Sequence, residues 1–415
     1  MKFLHLADLH FGKSIHGVSM LENGDQLFWA DSLLALAGEL RPDAVVIAGD
    51  VYDRSTPSGD AVVLLDHLLT GLSSLGLSIL MVAGNHDSGQ RLSFAGDLLA
   101  RQNVHIAGFL SDGGEITHVT LRDEYGPVTF WLLPYVFPAA ISHALGDEDI
   151  RGDYDSAVRR LLEKQALDST QRNVLVAHQN VTAAGAEALR GGSESMIGGV
   201  GQIDFHAFDA FDYVALGHIH AASAVGRSSV RYAGSPLCYH FDETRQPPKG
   251  PLLVTLPEKG VPLQAETLHL PPLHPMREIR GAYDEIRLSE ADSPSRGEYL
   301  RIVLTDRRVT PEISAYFRRF FEGRGSTLME LVSEFHDFDG QTSGASSGAV
   351  KEKSIPELFS DFYTDRSGGD EPSEADCELL AYAAECIQQS ESLSGSGPSA
   401  VDRLLEYLLK QEENA

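Results

Sequence analysis

Five short clusters of acid, imidazole and amide residues fall within the first 220 residues of this 415-residue chain: Asp8-Leu9-His10, Gly49-Asp50-Val51-Tyr52-Asp53, Gly84-Asn85-His86-Asp87, Ala177-His178 and Gly217-His218-Ile219-His220. Carboxylate oxygen, imidazole nitrogen and amide oxygen together form a ligand set for divalent cations. Two such cations a few ångström apart can share a hydroxide and clamp both ends of an in-line displacement at phosphorus. In Asp8-x-His10 and His218-x-His220, alternation along an extended segment would point both side chains the same way. Gly49, Gly84 and Gly217 leave room for tight turns. Each piece alone is weak, since Gly, Asn and Asp favour turns anyway. The five together, in this order, argue for one site. His5 reads as a core residue, His16, Asp25 and His67 as surface residues, and His240 has no assigned role.

The elements that would carry these clusters follow from periodicity. Short Val-, Ile- and Leu-rich runs at Lys2–Ala7, Ala44–Ala48, Ser78–Ala83, Asn173–Ala177 and Asp212–Leu216 predict buried strands, and a cluster ends each of them. Gln26–Leu40 and Gly59–Leu75 read as helices; in the second, Val62, Leu65, Leu68, Leu69 and Leu72 form one apolar face. This alternation predicts a layered α/β core, with ligands at the carboxyl edge of an open sheet. Further strands are expected at Thr117–Leu121, Val128–Leu133, Val230–Ala233 and Leu252–Leu256.

Proline punctuation at Pro257, Pro262, Pro271, Pro272 and Pro275 places a boundary near residue 270. Residues 1–270 are expected to form the chemical domain. Residues 271–339 read as a small α+β capping domain: strand Arg277–Leu288, strand Tyr299–Thr305, helix Pro311–Phe321, strand Thr327–Phe335. The Gly- and Ser-rich stretch within 340–353 reads as a linker, and 354–415 as short amphipathic helices.

Lys and Arg total 33 against 60 Asp and Glu, a formal charge of −27. That excludes a generally basic nucleic-acid binder, though not binding through a local patch or beside a partner. Three cysteines, Cys238, Cys377 and Cys386, without paired spacing fit a reducing compartment. His5 and Asp8 interrupt the apolar start, which argues against a signal peptide, and no run of about 18 apolar residues exists to span a membrane. A soluble cytoplasmic protein is the expectation. No G-x-x-x-x-G-K-[ST] loop is present, so any nucleotide chemistry belongs to another chain.

The order D-x-H, G-D-x-x-D, G-N-H-D, a lone His and G-H-x-H resembles the calcineurin-like metallophosphoesterase superfamily. The runs Phe3–Lys13, Val45–Asp53, Tyr213–His220 and Arg231–Pro236 are similar to the SbcD nuclease family within it. The resemblance covers residues 1–256; beyond that only element order and length agree. It implies a layered core of β-sheets flanked by helices, with a small α+β capping domain and C-terminal helices. It implies one metal on Asp8, His10 and His220, a second on Asn85, His178 and His218, and Asp50 between them, with manganese as the usual ion. It implies that His86 acts at the phosphate, with Asp53 and Asp87 as carboxylates orienting histidines or, for Asp87, holding a turn. It further implies double-strand exonuclease and single-strand endonuclease activity on DNA, in a homodimer assembled with an SbcC-like coiled-coil ATPase as a heterotetramer. The terminal helices could dock on that partner. Lys13, Arg54 and Arg91, each near a motif, are candidate DNA-facing cations.

Two other readings compete. The motifs alone do not separate a nuclease from an enzyme acting on a small phosphoester, because fold and metals are shared while substrate is not. A non-catalytic scaffold of a repair complex is the other; all seven ligand positions being filled speaks against it.

Overall fold

Alternate residues of the first strand, Lys2–Leu6, face different layers. Leu4 and Leu6 pack outward among helices, whereas Phe3 packs inward against a second sheet. The same period of two holds for Ala44–Ala48, where Val45 and Ile47 face the helices and Ala44, Val46 and Ala48 the second sheet. Buried on both faces, these strands read as unbroken apolar runs. The computed structural model describes residues 1–150, 152–183, 201–291, 297–335 and Ser373. The expected linker 340–353 and terminal helices 354–415 lie outside this set but for Ser373.

Two six-stranded sheets stack face to face. The first runs in the order Gln264–Thr267, Leu252–Thr255, Lys2–Leu6, Ala44–Ala48, Ser78–Val82, Val104–Ala107, with the last four strands parallel. The second runs Ser223–Val225, Arg227–Tyr232, Tyr213–Gly217, Arg172–His178, Gly126–Leu133, Thr117–Asp123, with its four central strands parallel. Phe3, Val46, Leu80 and Val82 meet Phe130, Val174, Val176 and Tyr213 between them. Helices Asp25–Leu40 and Gly59–Ser74 cover the first sheet, and Pro138–Leu145 and Tyr154–Glu163 the second. The core is therefore layered α/β with β-sheets flanked by helices, as expected; the strand ends meet at an edge shared by two stacked sheets rather than at the edge of one open sheet. Each fully buried aliphatic side chain contributes about 1.5–3 kcal/mol.

Two helix assignments need correction. The buried face of Gly59–Ser74 is Ala61, Leu64, Leu65, Leu68 and Leu72, while Val62 is 46% exposed. Asp25, expected at the surface, is buried at the start of its helix, where Tyr299 Oη donates to its Oδ2 (2.6 Å) and His274 Nδ1 stands 2.9 Å from its Oδ1. Those contacts tie residues after 270 to the core.

The last three strands, Met276–Gly281, Tyr299–Leu304 and Thr327–Ser333, form a parallel sheet. Parallel strands need a crossover, and helices Tyr283–Ala291 and Pro311–Glu322 supply it. Residues 283–288, expected to continue the first of these strands, are thus helical. Gly281-Ala282 breaks the strand. Asp306 Oδ1 then accepts from Tyr283 N–H (2.9 Å), and Glu285 Oε2 from Ala282 N–H (3.2 Å), which satisfies the first turn. Ile286 turns inward to join Ile279, Leu300, Ile302 and Phe317.

Candidate metal centre

The parallel strands of both sheets end at one edge, and their loops interlock there. Asp8 N–H donates to Gly49 O (3.0 Å), His10 N–H to Asp50 O (2.9 Å) and Phe11 N–H to Val51 O (2.9 Å). Asp8, His10 and Asp50 take positive φ, at 55°, 45° and 49°, and His218 lies at 101°. Such geometry costs a non-glycine residue about 1–3 kcal/mol and persists only where surrounding structure imposes it. The extended path expected through Asp8-x-His10 is not taken, because the strand ends at Leu6 and each side chain arrives on a turn. Gly49 and Gly84 do more than turn. A Cβ on Gly84 would lie 2.1 Å from Asp50 Oδ1, and one on Gly49 2.4 Å from His178 Nδ1.

All seven expected ligands converge. His10 Nε2 and His220 Nε2 stand 3.1 Å apart. Asn85 Oδ1 lies 3.0 Å from His178 Nε2 and 3.2 Å from His218 Nδ1. Asp50 Oδ2 lies 3.3 Å from His178 Nε2 and 3.7 Å from His10 Nε2, between the two groups. The His218 backbone N–H donates to Asp8 Oδ1 (2.9 Å). Asp8, His10, Asp50, His178, His218 and His220 are buried, whereas Asn85 is exposed and His86 half-buried, so the cluster opens to solvent on that side.

The electrostatics are those of a cation site. Burial would raise the Asp50 carboxyl, but His178, His10 and His86 pull it far below the usual carboxylate range. Burial opposes a proton on His178, yet Asp50 and Asp8 outweigh it and push the imidazole well up. Burial dominates at His10 and holds it neutral, the form that coordinates a metal. His178 Nδ1 is 2.8 Å from Ala48 O. A carbonyl only accepts, so Nδ1 carries the hydrogen and Nε2 faces Asn85 and Asp50.

A family model for calcineurin-like phosphoesterases matches residues 1–222, more than half of the chain. The chain belongs to that family. A second model, SbcD_C, described as the type 5 capsule protein repressor C-terminal domain, matches residues 272–367. The two in this order make it an SbcD-type member. Among solved structures, the chain is similar to a dimetal phosphatase from Danio rerio, with 15% identity, 64% of this chain and 98% of that one covered, and a TM-score of 0.40. The Thermus thermophilus protein TT1561 has 14% identity, the same 64% and 98% coverage, and a TM-score of 0.36. The E. coli phosphoesterase Yfce has 13% identity, 61% and 88% coverage, and a TM-score of 0.26.

Family membership implies divalent cations, and the donors fit them. The ligand atoms of Asp8, His10 and His220 lie within 4.8 Å of one another, as do those of Asp8, Asp50 and His178, and of His10, Asp50 and His86. Asp8, His10 and Asp50 each belong to two of the three groups, so the groups form one connected cluster. Two buried imidazole nitrogens 3.1 Å apart, both turned toward carboxylates, form a place that positive charge stabilises.

The remaining expected residues divide by contact. His86 N–H donates to Asp50 Oδ1 (2.9 Å), its Nδ1 bonds to Asp53 O (2.9 Å), and its ring crosses that of His10 at 4.8 Å. Asp53 Oδ1 stands 3.8 Å from His10 Nδ1 and pairs with Lys13 Nζ at 2.7 Å. Asp87 accepts from the backbone N–H groups of Gly84 (2.9 Å), Tyr52 (2.9 Å) and Val51 (3.1 Å), the bonding of a turn clamp. Burial and the nearby Asp50 push its carboxyl up to about 6. Arg91 braces the loop after Asp53 through Ser55 O and Thr56 Oγ1, while Arg54 is 80% exposed.

Sequence reasoning missed four residues. Gln26 Nε2 donates to His10 O (2.8 Å) and its Oε1 accepts from Gly12 N–H (2.9 Å), which holds the His10 loop. Tyr239 donates to Leu9 O and packs edge-on against His10 and His220. Glu243 Oε1 stands 3.1 Å from His220 Nδ1, and Lys249 Nζ is 2.9 Å from Glu243 Oε2. Burial works against the Glu243 charge, but His220 and Lys249 hold its carboxyl down at about 2. The available signal was an acid just after the largely apolar Leu237 to Phe241 stretch, too common a pattern to single out.

Proposed function

We propose that this chain hydrolyses phosphodiester bonds in DNA, as the nuclease subunit of an SbcCD-like repair complex. The observation that supports the reading is the conjunction of the seven-donor cluster with a second matched region at 272–367. A small-ester enzyme needs only the first. In this reading Asp8, His10 and His220 hold one cation, Asn85, His178 and His218 the other, and Asp50 lies between them. Manganese is the proposed ion.

Bound there, two divalent cations would acidify a shared water to give the nucleophile and would neutralise charge on the phosphate oxygens. The chain's own contribution is placement. The turns at Asp8, His10 and Asp50 hold their donors rigidly, so little reorganisation accompanies the reaction. His86, on the open side, donates Nδ1–H to Asp53 O, which leaves Nε2 for the phosphate; as the imidazolium it would stabilise charge there and pass its Nε2 proton to the departing sugar oxygen, becoming the neutral ring. Asp53 steadies His10 and Asp87 clamps the turn that carries Asn85 and His86.

A net charge of −27 repels DNA. Arg54 and Arg91 are exposed, but Arg91 braces the loop after Asp53 and Lys13 is paired with Asp53, so Arg54 is the cation of the three assigned to DNA. The rest of the grip is assigned to a second copy of the chain and to an SbcC-like coiled-coil ATPase. In this arrangement 1–270 catalyses, 271–339 caps the DNA, 340–353 links, and 354–415 meets the ATPase.

The test is digestion of linear duplex DNA with manganese, with and without the ATPase, beside a small chromogenic diester. Cleavage of both substrates is expected. Hydrolysis of the small diester with DNA untouched, even with the ATPase present, would leave a small-ester phosphoesterase as the function.

A further inference from the structure

His220 differs from His178 and His10 in what lies behind it. His178 rests on a backbone carbonyl, and His10 Nδ1 is 3.8 Å from Asp53. Behind His220 stands a fully buried carboxylate at bonding distance, Glu243, 3.1 Å from Nδ1. We propose that Glu243, locked by Lys249, is a positioning residue that fixes the tautomer and aim of His220 and so sets the affinity of one cation position. The inference rests on the two-cation reading of the site.

A buried carboxylate is stable only when cations and hydrogen bonds surround it. Glu243 Oε2 takes Lys249 Nζ at 2.9 Å, Ser235 Oγ at 3.2 Å and Tyr239 N–H at 3.3 Å, which leaves Oε1 for His220. Lys249 Nζ also donates to His220 O (2.6 Å), Ser235 Oγ (3.0 Å) and Gln246 Oε1 (3.0 Å). One ammonium therefore grips both the carboxylate and the backbone of the histidine it serves. The carboxylate rides on the short turn Phe241–Arg245, capped by His240 and anchored by buried Tyr239 and Phe241.

An ionised carboxylate can only accept, so the hydrogen of His220 must sit on Nδ1. Nε2 then carries the lone pair, on the side facing His10. Without Glu243 the imidazole is free to place its hydrogen on Nε2 and to rotate, and either change removes a donor from that position. Loss of such a supporting partner typically weakens metal binding about 10–100-fold.

The experiment is a manganese titration of the full-length protein and its E243A, E243Q and K249M variants, read by calorimetry and by low-temperature electron paramagnetic resonance. Wild type is expected to bind two ions per chain with a spin-coupled signal. E243A should bind one ion as before and the other about 10–100-fold more weakly, with an uncoupled six-line spectrum at intermediate loading. E243Q keeps an acceptor for Nδ1–H and should recover part of the loss. K249M should weaken the same position less than E243A.

E243A with both affinities unchanged overturns the proposal, as does equal weakening of both positions, which marks general loosening. If E243A does not fold, E243Q and K249M decide the matter: selective weakening supports the proposal and unchanged binding overturns it. A wild-type protein that binds fewer than two ions sinks the two-cation reading itself, and this inference with it.

Discussion

His10 and His220, 210 positions apart in the chain, meet Nε2 to Nε2 at 3.1 Å in a buried site. Without metal the two neutral rings can share an N–H···N hydrogen bond at this distance; the same spacing lets both Nε2 atoms serve one cation, which would replace that bond. Metal should therefore stabilise the folded state strongly. At manganese about 100-fold above its dissociation constant, linkage gives about 2.7 kcal/mol per site. Differential scanning calorimetry should show Tm rising with manganese and falling on chelation, with the rise reduced in His220→Ala. A Tm indifferent to manganese would contradict the site.

Asp50 Oδ2 lies within 3.7 Å of nitrogens from both ligand groups, and Oδ1 takes the His86 N–H. Its removal should act on both positions at once. Asp50→Ala is expected to lose both ions, measured by mass spectrometry of the purified protein, and with them detectable hydrolysis. A variant that keeps one tightly held ion would place Asp50 on one side only.

His86 is bonded to Asp53 and to Asp50 but lies at the solvent-facing rim. His86→Ala should leave two ions bound and slow hydrolysis by about two to four orders of magnitude, the usual scale for lost proton transfer or charge stabilisation. Full activity in that variant would remove His86 from the chemistry.

The strands were legible because runs such as Ala44–Ala48 are apolar on both faces, and the site was legible because one cluster ends each of five parallel strands. That two sheets share this edge was not legible, because an apolar run does not say which sheet it joins. Asp25 looked like a surface acid because its partners, His274 and Tyr299, lie 249 and 274 residues further on. The Tyr283–Ala291 helix was hidden by residues such as Tyr283 and Ile286, which suit a strand as well as a helix. Glu243 escaped because a support for a histidine has no motif of its own; only the fold brings it to His220.

Arg172 is buried at the end of its strand opposite His178. It pairs with Asp123 and donates to Gly126 O (2.9 Å) and Pro257 O (3.1 Å). Arg172 beside it, with the Met1 amine, holds the Asp123 carboxyl well below the usual carboxylate range. A depressed carboxyl contributes stability that is present above its unfolded value, about pH 3.9, and is lost as pH falls below it. Arg172→Met leaves two buried carbonyls and a carboxylate short of their donor and should cost about 3 kcal/mol at pH 7. Urea unfolding at pH 7 and at pH 3.5 checks both statements: the gap between wild type and variant should be large at pH 7 and smaller at pH 3.5. A gap that widens on acidification would show that the pair does not stabilise through the Asp123 charge.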